Sequence, residues 1–137
     1  IDMENRYNNN SKIKSGYVDN PDFEVKKIEC VVSEKETMYT YTSILQSMSS
    51  HPIARAIFKV LPSVQLSDYR IEKVEEIQGG IKGFIDNHEV IIGNLELMKC
   101  YDFYYDESLN HINEKVILVM IDDRYTGCFI MKEVLND

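Results

Sequence analysis

The side chain in this sequence whose type and setting most invite chemistry is His51, in the stretch "SSHPIARAI" at residues 49–57. An imidazole is flat, so it can stack on another heteroaromatic ring, and its edge can donate or accept a hydrogen bond. Two further features follow it in order: the glycine cluster "QGGIKG" at 78–83, then "IIGN" at 91–94. Glycine allows a ligand to approach the backbone closely, and Asn94 beside Gly93 adds an amide that both donates and accepts. Each feature has an ordinary reading when taken singly. His51 then decorates a helix start, Gly80 and Gly83 serve strand entry and turning, and Asn94 caps the helix that follows it.

Composition narrows the chemistry. The chain has 137 residues, 44% of them hydrophobic, which is the size of one ordinary domain with a core of its own. A formal charge of −8 argues against a nucleic-acid backbone or an anionic membrane surface as the main partner. The longest apolar runs, such as "VILVMI" at 116–121, fall far short of the roughly 20 residues needed to span a bilayer. Cys30, Cys100 and Cys128 are scattered, with no CxxC spacing and no histidine pair, so neither a zinc site nor a redox pair is indicated, and all three read as reduced core thiols. "GGIKG" is not a phosphate-cradling loop, because no Gly-Lys-Ser/Thr follows it.

The elements that must position these residues can be read from the hydrophobic period. Residues 1–20 are polar and Asn-rich and lack the apolar surface to offset ordering, so they read as a flexible linker or insertion ahead of a domain at 21–137. "FEVKKIECVV" alternates as a half-buried strand, with an irregularity expected at its paired lysines. A first helix is expected from Ser33, with Glu36 in capping-box spacing and Met38, Tyr41, Leu45 and Met48 on one face. The serines at 49 and 50 would cap a second helix in which Pro52 takes the first turn and Ile53, Ile57 and Val60 or Leu61 face the core. The two form a helical hairpin.

Beyond Ser67 the period falls to two, giving one strand before "QGGIKG" and a hairpin turning at Asp86-Asn87-His88. Residues 95–112 suggest a second helical pair, or one helix if the aromatic-rich 101–112 segment is not helical, and two more strands turn at Asp122-Asp123. The total is an α+β fold, an antiparallel sheet of about six strands flanked by helical hairpins.

In their order and separations, "SSHPIARAI", "QGGIKG" and "IIGN" together resemble the nucleotide-binding domain of the heavy-metal-transporting P-type ATPases, a likeness that extends over about residues 16–137. The resemblance implies an ATP-binding domain, of a copper transporter by expectation, in which His51 meets the adenine ring. Gly80 and Gly83 would keep a hairpin thin beside the nucleotide, and Gly93 and Asn94 would help close the pocket. Two positions depart from the family pattern. Gln46 stands where the family has a glutamate that contacts the adenine amino group. At the first glycine of the family's GxG stands Gln78, so either the hairpin shifts by a residue or the Gln78 side chain lies at the nucleotide edge.

The same resemblance implies a cytosolic domain of an integral membrane transporter, monomeric and making no direct membrane contact itself. Its partners would be ATP, as Mg-ATP in the full-length pump, and the phosphorylation and actuator domains. The chain contains no Asp-Lys-Thr-Gly, Thr-Gly-Asp or Cys-Pro-Cys segment, so no catalytic or metal-ligating residue is assigned and the domain alone should not turn over. The alternative is a non-catalytic interaction or regulatory domain of the same fold, in which Gln46 and Gln78 have weakened or abolished nucleotide binding.

Overall fold

Two Asp-led dipeptides set much of the architecture. Asp86-Asn87 and Asp122-Asp123 all have positive φ, between 50° and 69°, the geometry of the tight two-residue turns whose twist matches that of paired strands. In the computed structural model, which describes residues 22–134, they join β3 (Gly80–Ile85) to β4 (His88–Gly93) and β5 (Lys115–Ile121) to β6 (Arg124–Val134). Residues 1–21 and 135–137 lie outside the described residues, and with them the linker expected over 1–20.

A third tight turn, Gln78-Gly79, joins β2 (Ile71–Ile77) to β3, and Gly79 supplies the positive φ of 94° there. With β1 (Asp22–Cys30) the strands form one antiparallel sheet in the order β1-β6-β5-β4-β3-β2. The irregularity expected at the lysines of β1 is present as a register shift between Val25 and Lys27.

β5 sits inside the sheet between β6 and β4 and is covered on both faces. Ile117, Val119 and Ile121 join one core cluster and Val116, Leu118 and Met120 the other, which explains the unbroken apolar run. On the first face pack α1 (Lys35–Gln46) and α2 (Pro52–Lys59), the expected helical hairpin. Met38, Ile44 and Leu45 are fully enclosed there, and Ser43 Oγ donates to the Pro62 carbonyl oxygen at 3.1 Å, tying α1 to the chain leaving α2. Ile53 and Ile57 face inward as expected, and of Val60 and Leu61 it is Leu61 that packs against the core, while Val60 is exposed.

Local expectations fail where helix ends are concerned. Val32–Glu34 form a single 3₁₀ turn before α1, so Ser33 and Glu36 never reach capping-box positions. The second helical pair reduces to α3 (Leu95–Cys100) and an isolated 3₁₀ turn at Glu107–His111. Its apolar residues Leu97, Met98 and Leu109 still cover the second face of the sheet. Of the three thiols only Cys128 is fully buried. Cys30 is partly buried and Cys100 is exposed, against the expectation of three core positions.

Candidate functional site

The two strand ends of the β3–β4 hairpin opposite its tight turn come together because Gly80 pairs with Gly93. A Cβ on Gly80 would overlap the Ile92 carbonyl oxygen. One on Gly93 would overlap the Leu97 side chain and sit 2.6 Å from the Gly79 oxygen. These glycines let β3, β4 and α3 approach closely. The Asn94 amide N–H donates to the Gly79 oxygen at 2.9 Å, and Asn94 Oδ1 accepts from the Leu97 N–H at 2.9 Å, making Asn94 the N-cap of α3. Its side-chain NH₂ group remains as a donor.

On the α-helical side, the N-cap of α2 is His51 and not either serine. His51 Nδ1 accepts from the Ile53 N–H at 3.1 Å, while the His51 N–H donates to Ser49 Oγ at 3.2 Å. An Nδ1 that accepts carries no proton, so the ring holds its N–H on Nε2, turned away from the helix it caps. The expected choice between a helix-start residue and a ligand-facing one therefore does not arise, because one ring nitrogen serves the helix and leaves the other unused.

Between these two structures lies a cavity of about 490 Å³, within the ordinary range for small-molecule sites. It brings together five of the residues singled out in the sequence: Gln46, His51, Gly80, Gly93 and Asn94. Gln46, the last residue of α1, is only 4% exposed. Among the described residues its side-chain amide has no hydrogen-bond partner, and Gln46 lines this cavity. A buried amide without a protein partner is costly unless something else pairs with it.

Two candidates fall elsewhere. Gly83 lies outside the lining and beneath α1, where an added Cβ would meet Val74 Cγ2 at 3.0 Å and Leu45 Cδ2 at 3.1 Å, so its small size serves core packing. Gln78 is the first residue of the β2–β3 turn and does not line the cavity. At this turn Gly79, and not Gln78, lines the wall.

Sequence reasoning missed Phe23, Glu76, Lys115 and Glu133, which also line the cavity. They come from the ends of β1, β2, β5 and β6. No local motif marks them; only the strand register, with Phe23 opposite Glu133 and Lys115 opposite Met131, gathers them at this end of the sheet.

Two other polar clusters are satisfied internally. At the opposite end of the sheet His88 Nδ1 lies 2.6 Å from Asp122 Oδ2, and Asp122 Oδ1 accepts from the Glu89 N–H at 3.0 Å. Burial pushes the Asp122 carboxyl up, but these two bonds and the charges of His88 and Arg124 outweigh it and hold the group below its usual range. The cluster clips two hairpin turns together. On the second face a wider concavity of about 630 Å³ is lined by Phe103, Tyr104, Tyr105 and Tyr125. Two of its polar side chains are paired: Tyr105 Oη donates to Asn110 Oδ1 at 2.8 Å, and Asp106 Oδ1 accepts from the Ser108 N–H at 3.0 Å. Burial also pushes the Cys128 thiol up, which makes it unreactive. Among the described residues no group of His, Cys, Asp and Glu is placed to hold a metal ion, and no helix is long and apolar enough to cross a membrane.

No protein-family model matches the chain. It is 27% identical over 130 residues, 90% of its length, to a cadmium, zinc and cobalt-transporting ATPase of Bacillus subtilis. It is 23% identical over 114 residues, 77% of its length, to a copper-exporting P-type ATPase of Staphylococcus epidermidis. The chain spans only 18% and 14% of those two proteins.

Among solved structures it matches the N-domain of HMA6, a copper-transporting P-type ATPase, with a TM-score of 0.66 at 18% identity, over 80% of this chain and 98% of that one. It also matches the catalytic domain of the CPx-ATPase CopB-B, described for its conformational changes upon nucleotide binding. There the TM-score is 0.58 at 19% identity, over 84% of this chain and 39% of that one. The fold is that of P-type ATPase N-domains, and the curated relatives are heavy-metal P-type ATPases.

Proposed function

We propose that this chain is the ATP-binding domain of a heavy-metal P-type ATPase, and that the cavity between α2 and the β3–β4 hairpin holds the purine. The observation that carries this reading is the Gln46 amide, buried, without a hydrogen-bond partner among the described residues, and lining a cavity that His51 and Asn94 also line. Three uncharged groups there suit a base: the Gln46 amide, His51 Nε2–H and the Asn94 NH₂ group. Gly79, Gly80 and Gly93 leave backbone exposed to close approach, and Phe23, Ile53, Ile81, Ile92 and Ile117 supply apolar surface for a flat base.

The charges on the lining favour a base over phosphates. Lys115 is the cation there, against the carboxylates of Glu76 and Glu133. The triphosphate would therefore extend away from the cavity toward a separate phosphorylation domain bearing the magnesium and the reacting aspartate. The contribution to phosphoryl transfer is then positioning. In this reading the domain is the cytosolic part of a membrane transporter and turns over nothing alone. The relatives are named for cadmium, zinc and cobalt as well as for copper, so we extend the proposal no further than a heavy metal.

The test is an NMR titration of the domain with ATP, ADP, AMP and adenosine. Similar shifts of the His51, Gly80, Gly93 and Asn94 amides with all four ligands are expected. No response to millimolar ATP would replace this reading with that of a regulatory domain lacking nucleotide binding.

A further inference from the structure

We infer, resting on the nucleotide reading above, that Gln46 makes the cavity accept 6-oxo purine nucleotides, of the inosine and guanosine class, nearly as well as 6-amino ones. The carboxamide is 4% exposed, lines the cavity and has no hydrogen-bond partner among the described residues. No described residue therefore holds its oxygen and nitrogen in one orientation. A primary amide carries an acceptor and a donor side by side. Adenine presents the matching pair as its 6-amino donor beside the N1 acceptor. Hypoxanthine presents the mirror pair, with the 6-oxo acceptor beside the N1–H donor. A half turn of the Gln46 amide about its last side-chain bond changes it from one match to the other.

Discrimination by a buried polar group comes mainly from leaving it unpaired with the wrong ligand, which can reach about four to five orders of magnitude. Here neither class of purine leaves the amide unpaired, so that source of selectivity is absent. The side chains at the two helix N-caps do not restore it. His51 Nδ1 is committed to the Ile53 N–H, so that ring donates through Nε2–H, and Asn94, whose Oδ1 accepts from the Leu97 N–H, offers its NH₂ group. Donors cannot require a 6-amino group. Guanine adds a 2-amino group, whose fit is a question of space separate from the choice at position 6.

The experiment is a pair of titrations with ATP and inosine triphosphate, following both backbone amides and the Gln46 side-chain NH₂ signals, on the parent and on Gln46→Met. Affinities within about threefold of each other, with the Gln46 NH₂ signals shifted by both nucleotides, are expected for the parent. Gln46→Met keeps the volume and removes both polar atoms, so it should weaken the two nucleotides equally, by about tenfold.

Inosine triphosphate binding more than about 30-fold weaker than ATP would overturn the inference while leaving the nucleotide reading intact. So would unchanged affinities in Gln46→Met, or NH₂ signals that do not move. If ATP itself gives no response, the nucleotide reading fails, and this inference with it. The side-chain signals of the parent decide the matter even if the variant does not fold.

Discussion

His51 and Asn94 each perform one task for the fold and offer a second group to the cavity, and substitution can separate the two. His51→Ala removes the α2 cap and should cost about 1 kcal/mol in urea unfolding, together with ATP binding. His51→Ser restores an N-cap acceptor without the ring. We expect it to recover most of that stability while ATP binding stays lost, as read by parallel unfolding and NMR titration. Equal ATP affinity in His51→Ser and the parent would remove the ring from the site.

The glycines divide just as sharply. Gly80→Ala places a methyl group against the Ile92 carbonyl, which is backbone and cannot yield, so a loss above about 2 kcal/mol is expected. Gly83→Ala meets the Val74 and Leu45 side chains most closely and the Val74 Cα only at 3.4 Å, so about 1 kcal/mol suffices, with ATP affinity changed less than about twofold. A sequence shows that both positions need a small residue, but it does not show what each one faces.

At the scale of elements, an ion pair clips the 3₁₀ turn before α1 to the start of β6. Arg124 Nε and Nη2 donate to the two Glu34 carboxylate oxygens at 2.7 and 3.0 Å. The Arg124 hydrogen bond and charge hold the Glu34 carboxyl below its ordinary range despite some desolvation. A depressed carboxyl pKa contributes stability above the unfolded value of about 4.5, and that stability disappears as pH falls through the lower folded value. Arg124 is half exposed, so the contribution is about 0.5–1 kcal/mol. Glu34→Gln should therefore match the parent in acid and fall behind it by that amount near neutrality, measured by urea unfolding across pH.

The ordering of these elements was legible in the sequence because strand alternation and Asp-led turns are local signals. Helix ends were not. The capping box at Ser33 lost to a 3₁₀ turn, the serine caps lost to His51, and the aromatic run after Cys100 packs as a loop and one turn. In each case tertiary packing decided between several acceptable local endings.

For the whole molecule, the cavity is a product of topology. His51, the two glycines and Asn94 carry the short motifs that identify their wall, whereas Phe23, Lys115 and Glu133 arrive only because β1, β5 and β6 end at the same edge. That edge belongs to a chain of formal charge −8, and among the described residues its lining carries the cation of Lys115 and the carboxylates of Glu76 and Glu133. Such a field opposes a triphosphate and is indifferent to an uncharged nucleoside. Salt at about 0.2 M shortens the screening length to less than about 10 Å and removes most of the repulsion between exposed charges. ATP affinity should therefore rise, by about threefold, on going from low salt to about 0.2 M, while adenosine affinity stays level. A phosphate-binding site would behave in the opposite way, because its cations lose strength as salt is added. An ATP affinity that falls with salt, read by the same titrations, would show that the domain holds the phosphates and would displace the purine as the anchor.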